Sequence, residues 1–149
     1  MQTAKQQINE VQEIQVLLIE DSPGDAAAIT KALIYGETMY SFRVHREHTL
    51  ADGLEYLSEH PIDVVLLDLG LPDAADLTAL SKVHMQYPDV PIVVISGRSD
   101  MNTVHSALKN GAQEFLIKGE CSGVVIRQSM YQAIARKKIE LSYQRGDKL

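Results

Sequence analysis

Tryptophan is absent from this sequence, cysteine occurs once, and cations are outnumbered by acids. The single cysteine, Cys121, rules out an internal disulfide and any metal site built on several cysteines. It stands beside an expected helix start, where thiolate character rises, and is otherwise an incidental small residue. With 14 Lys+Arg against 20 Asp+Glu, the net charge of −6 excludes a general nucleic-acid binder, which needs cations to displace phosphate counterions. The basic triplet Arg136-Lys137-Lys138 is short and reads as a solvated helix face. No apolar run approaches the roughly 18 residues that cross a bilayer. The opening MQTAKQQINEVQEIQ has no signal-peptide stretch, so a cytoplasmic location without a membrane partner is expected. No G-x-G-x-x-G or P-loop follows the first apolar run, which disfavours nucleotide or flavin. His45 and His48 lack a third ligand in sight and read as surface residues rather than a zinc site.

What remains suits one domain: 149 residues, 45% hydrophobic and 23% charged. Strand-like and helix-like segments alternate. Val16–Ile19 is an apolar run ending in Glu20-Asp21 and the breaker Ser22-Pro23. Asp25–Tyr35 follows at helical spacing, with Ala26, Ile29, Leu33 and Ile34 as its stripe and Gly36 as its stop. Phe42–His45 is a weaker strand, and Thr49 offers a cap for a helix through Leu57. Ile62–Leu67 is a second buried run, ending in Asp68 and the turn Leu71-Pro72-Asp73. Leu77, Leu80, Val83, His84 and Tyr87 mark the next helix. Ile92–Ile95 leads into Ser96-Gly97, and Asp100 caps a helix carrying Val104, Ala107 and Leu108. Phe115–Ile117 ends in Lys118, and Ser122 opens a last helix running to about Tyr143. Continuous Val/Ile/Leu strands between amphipathic helices predict an α/β, doubly wound parallel sheet of five strands, sandwiched by five helices. The domain is expected over 15–143, with a tail or short helix over 1–14 and a tail over 144–149.

Ligands of open parallel sheets bind beyond the carboxyl ends of the strands. The residues there are Glu20, Asp21, Asp68, Ser96 and Lys118, each polar and each placed directly after an apolar run. Gathered carboxylates need a positive partner, and Mg2+ prefers oxygen ligands while keeping several waters. Asp21 and Asp68 suit direct ligation, Glu20 ligation through a water, and Gly70 a backbone carbonyl ligand. A carboxylate can also attack phosphorus. Lys118 and the Ser96 hydroxyl would then bind phosphoryl oxygens, since phosphoryl transfer is mostly positioning and charge neutralisation.

The acidic pair, Asp68 within D-L-G-L-P-D, Ser96 and Lys118 together resemble the receiver (CheY-like) domain of two-component response regulators, over roughly Gln15 to Tyr143. The resemblance implies the flavodoxin-like strand order 2-1-3-4-5. It implies that Asp68 is the phosphoacceptor, served by Mg2+ and Lys118. Ser96 then follows the phosphoryl group, and Phe115 is either the aromatic switch residue or an ordinary core phenylalanine. Gly70, Gly97 and Arg98 flank the phosphoryl group; Arg98 either shields it or is simply solvated. The implied protein is a signalling switch rather than an enzyme, with only self-catalysed phosphoryl transfer and autodephosphorylation. Its expected phosphodonor is a histidine kinase or histidine phosphotransfer protein. Its expected readout is the surface of the fourth helix, fifth strand and fifth helix, acting on an effector protein or output domain, or through a homodimer there or along an extended last helix.

Two positions depart from the family pattern. Gly119 stands where proline usually follows the lysine, so a trans bond and a looser loop are expected. Ala74-Ala75 stands where glycines are common. The alternative of a receiver-like binding module that works without phosphorylation has Gly119 as its only hint. An aspartyl phosphatase of the haloacid dehalogenase type would need an acid at position 70, where the sequence has Gly70.

Overall fold

The computed structural model describes residues 12–35, 40–97 and 100–146. Gly36, Arg98 and the segment 1–11 lie outside the described residues. Five strands form the main sheet: β1 (Gln12–Ile19), β2 (Tyr40–Glu47), β3 (Val64–Leu67), β4 (Ile92–Ser96) and β5 (Glu114–Ile117). The helices are α1 (Pro23–Ile34), α2 (Leu50–Glu59), α3 (Leu77–Gln86), α4 (Met101–Lys109) and α5 (Gly123–Gln144). All neighbouring strands run parallel, in the order β2-β1-β3-β4-β5. A small antiparallel pair, Gly70–Leu71 with Ala74–Ala75, follows β3.

Alternation along the strands builds the two layers. Leu17, Ile19, Val65, Leu67, Ile92 and Val94 face α2, α3 and α4, meeting Leu50, Leu57, Leu80, Val83 and Ala107. Their neighbours Val16, Leu18, Val64, Leu66, Val93 and Ile95 face α1 and α5, meeting Ala26, Ile29, Leu33, Ile126, Met130 and Ala133. A central strand buried on both sides must be apolar at every position, which explains why β3 reads VVLL. Each fully buried Leu or Ile contributes about 1.5–3 kcal/mol.

Short polar side chains start the helices. Ser22 Oγ accepts from the Asp25 N–H at 3.2 Å, Thr49 Oγ1 from Asp52 at 3.1 Å, Asp100 from Thr103 at 2.8 Å and Ser122 from Val125 at 3.3 Å. Such caps contribute about 1 kcal/mol apiece. The turn after β3 adds another cap from outside the helix. Asp73 accepts from the Leu50 and Ala51 N–H groups at 2.9 and 3.0 Å, tying that turn to the start of α2.

Some boundaries differ from the sequence expectation. β1 begins at Gln12, inside the segment expected as a tail, because its polar start pairs along β2 and Glu13 meets Arg43 at 3.0 Å. Ile34 and Leu108, expected in apolar stripes, are half exposed. In α5 the buried residues are Ile126, Ser129, Met130, Ala133 and Lys137, so Val124 and Val125 face outward. No helix among the described residues is long and apolar enough to cross a membrane.

Candidate functional site

The backbone ladder continues past the strand ends and brings polar residues into register. The Asp68 N–H donates to the Ile19 carbonyl at 3.0 Å, seating Asp68 beside Glu20, and the Glu20 N–H donates to Glu47 at 3.0 Å. On the other side the Lys118 N–H donates to the Ser96 carbonyl at 2.9 Å. Arg46, at the end of β2, donates to the carbonyls of Glu20 and Asp21 at 2.9 and 3.1 Å and fixes the path of the chain leaving β1.

Around this edge lies a cavity of about 450 Å³ lined by Glu20, Asp21, Asp25, Asp68, Gly70, Ser96, Gly97 and Lys118, among others. One carboxylate oxygen from each of Glu20, Asp21 and Asp68 lies within 4.8 Å of the other two, an arrangement that can hold a metal ion. Glu20 is wholly buried, Asp68 and Ser96 nearly so, and Asp21 is exposed. The Lys118 ammonium reaches three carboxylates: Glu20 Oε1 at 2.5 Å, Asp25 Oδ2 at 3.0 Å and Asp68 Oδ1 at 3.2 Å. The ammonium is the closest charged partner of the buried Glu20 Oε1. The other oxygen, Oε2, accepts from the Ser22 N–H at 3.3 Å.

Burial pushes the Glu20 carboxyl up to about 7, against the pull of Lys118 and with the help of the Asp68 charge. Burial alone would lower the Lys118 ammonium, but bonds to Glu20 and Asp25 and the Asp68 charge hold it well above the usual lysine range. Lys118 is therefore held as a cation, with its ammonium 3.2 Å from Asp68 Oδ1. A carbon added at Gly70 would stand 3.4 Å from Asp68 Oδ2, so glycine leaves the approach to that oxygen open.

Of the residues singled out in the sequence, Glu20, Asp21, Asp68, Gly70, Ser96, Gly97 and Lys118 all border this one cavity. Phe115 does not line it; it is half-buried against the core layer beneath α4. Arg98 lies outside the described residues. The described residues contain no cis peptide bond, and Gly119 adopts φ 80. Sequence reasoning missed Asp25 and Arg46. Asp25 is the third residue of α1, in the first turn after the chain leaves β1, and that closeness to Glu20-Asp21 was the available signal.

The family model of the response regulator receiver domain matches residues 16–129. The luminescence regulatory protein LuxO of Vibrio campbellii is 31% identical over 119 residues, which are 80% of this chain and 25% of LuxO. The transcriptional regulatory protein KdpE of Mycobacterium tuberculosis is 36% identical over 103 residues, 69% of this chain and 43% of KdpE. The chain thus spans between a quarter and under half the length of these two relatives. Among solved structures, a receiver domain protein from Clostridium thermocellum is 25% identical with a TM-score of 0.72, covering 85% of this chain and 98% of that one. A CheY-like receiver domain protein from Methanospirillum hungatei superimposes with a TM-score of 0.71 at 17% identity, covering 88% of this chain and 99% of that one, a likeness of fold alone.

Proposed function

The chain belongs to the response regulator receiver domain family, and from that premise we propose that Asp68 is its phosphoacceptor, loaded with the help of Mg2+. The observation that carries this reading is one buried carboxylate, Asp68, lying 3.2 Å from the Lys118 ammonium and within 4.8 Å of oxygens of two further acids.

The residues fit a hard divalent ion. Glu20, Asp21 and Asp68 each supply a carboxylate oxygen, and these lie within 4.8 Å of one another. Asp21 and Asp68 would hold Mg2+ directly, with the Gly70 carbonyl, while Glu20 would act through a water. Bound there, the ion supplies positive charge against the repulsion between an incoming phosphoryl group and the acids.

The chain's own groups do the rest. An Asp68 oxygen attacks phosphorus, forming a P–O bond as the P–N bond of a phosphohistidine breaks, and the leaving imidazole takes a proton from solvent. The donor in this reading is a histidine kinase or histidine phosphotransfer protein. Lys118 pairs with a phosphoryl oxygen, and the Ser96 hydroxyl, buried in the same cavity, donates to another. Hydrolysis by water attack on phosphorus restores the Asp68 carboxylate and releases phosphate. The opening beside Gly70 supports access for that water.

The readout in this proposal is a population shift of the α4-β5-α5 surface, with Ser96 drawing the following loop and Phe115 repacking. Partners are a downstream effector or output domain, or a second copy through that surface or the long α5. A cytoplasmic location belongs to the same proposal.

The test is labelling by phosphoramidate with magnesium. Wild type should be labelled and Asp68→Asn should not; undiminished labelling of that variant removes Asp68 from its role. The phosphorylation-independent alternative has no observation in its favour beyond Gly119, and every group the chemistry needs borders one cavity.

A further inference from the structure

Asp25 opens α1 at the position where a capping-box acid would turn back on the Ser22 N–H. It does not do so here. The Ser22 N–H donates to Glu20 Oε2 at 3.3 Å, while Asp25 Oδ2 accepts from Lys118 Nζ at 3.0 Å, across 93 residues of sequence. The carboxylate forgoes its local partner for a distant one inside the site cavity.

Lysine carries its charge on a flexible four-carbon stem, so the direction of the ammonium is set by its partners. Backbone restraint on Lys118 comes from one side, where its N–H meets the Ser96 carbonyl, and Gly119 follows at φ 80 with no side chain to pack. Three carboxylates aim the ammonium, and two of them, Glu20 and Asp68, also belong to the acidic trio that can take a metal. Once the trio is engaged by a cation and Asp68 by phosphorus, Asp25 is the carboxylate still free to hold Lys118.

We propose that Asp25 is a positioning residue for phosphoryl transfer, the metal-independent anchor that keeps Lys118 over Asp68. This inference rests on Asp68 being the phosphoacceptor. Asp25 is half exposed, so its pull is that of a partly screened ion pair, and losing it should slow transfer about two- to fivefold.

The experiment compares full-length wild type, Asp25→Asn, Asp25→Glu and Asp68→Asn, labelled by phosphoramidate at saturating magnesium. Proton exchange of the Lys118 ammonium is followed by NMR in the same proteins at saturating magnesium, before phosphoramidate is added. Asp25→Asn should label two- to fivefold more slowly, with faster Lys118 ammonium exchange, and Asp25→Glu should recover most of both. Altered stability of the α1 start alone would leave ammonium exchange unmoved. Equal or faster labelling of Asp25→Asn overturns the role, as does slower labelling with unchanged ammonium exchange. Labelling of Asp68→Asn would instead overturn the reading on which the inference rests.

Discussion

Replacing Glu20 with glutamine should make the metal-free protein more stable above neutral pH and leave it little changed near pH 5. Glu20 is 0% exposed, and burial raises its carboxyl from 4.5 to about 7. The folded state therefore binds a proton more tightly than the unfolded chain does. The associated stability is complete below the unfolded value and is lost as pH rises from there through about 7. A shift of this size corresponds to about 3 kcal/mol. Glutamine has nearly the same shape and cannot ionise, so the variant lacks this loss. Urea unfolding in EDTA, from pH 5 to pH 8, gives the difference directly, because histidines and other groups common to both proteins cancel. The two curves should nearly coincide near pH 5, and by pH 8 the wild-type curve should lie below the variant's by a few kcal/mol. Added magnesium should restore the wild type at pH 8, by about 2.7 kcal/mol at a hundredfold excess over Kd, and the variant less. Parallel pH curves for the two proteins in EDTA would refute the argument, since a buried ionising acid cannot leave stability indifferent to pH.

The remaining predictions concern how the frame holds the site. Asp73→Ala removes the cap on Leu50 and Ala51 and should cost about 1 kcal/mol at pH 7 by denaturant unfolding. Slight burial works against the Asp73 charge, but the Ala51 and Leu50 N–H bonds outweigh it and hold its carboxyl below the usual range. The stabilisation is therefore present above the ordinary aspartate range, and the gap between the two proteins should close as pH falls through that lowered value. Gly53→Ala would place a carbon 2.5 Å from Ile19 Cδ1 in a fully buried site. Overpacking of about 1–3 kcal/mol should exceed the roughly 1 kcal/mol that alanine gains in a helix. Ile19→Val should relieve most of that cost in the double variant, and strictly additive effects would contradict the contact.

The central strands could be read from the sequence because burial on both faces leaves no choice of residue: Val16–Ile19 of β1, all of β3 and Ile92–Ile95 of β4 are runs of Val, Ile and Leu. Edge strand β2 was harder. It buries Phe42 but carries Arg43, Arg46 and Glu47, and it extends beyond the Phe42–His45 expected from composition. Helix existence followed from caps such as Thr49 and Ser122, yet helix rotation did not. In α5 the stripe against the sheet is Ile126, Met130, Ala133 and Lys137, at helical spacing. Ser129 and Lys137 within the buried face disguise it, while Val124 and Val125 suggest a different one. Apolarity alone cannot rank two adjacent stripes when a polar side chain is buried by its stem.

The site was more legible than the helix faces for an electrostatic reason. Glu20, Asp21, Asp25 and Asp68 share one cavity with a single lysine. Two like charges about 5 Å apart at an effective dielectric of about 20 repel by roughly 3 kcal/mol. Fold stability alone would not select such a cluster, whereas a cation and a phosphoryl group give it a use. Glu20 and Asp68 follow apolar runs directly and Asp21 comes next after Glu20, so chain order places all three at the sheet edge whatever the side-chain packing. Asp25 and Arg46 act by reach: a carboxylate turned from its own helix start toward Lys118, and a guanidinium spanning from β2 to the chain after β1. Strand ends are written in the periodicity of the sequence. Reach is decided only once the neighbouring strands are in register, which is why the residues that orient the site emerged only with the structure.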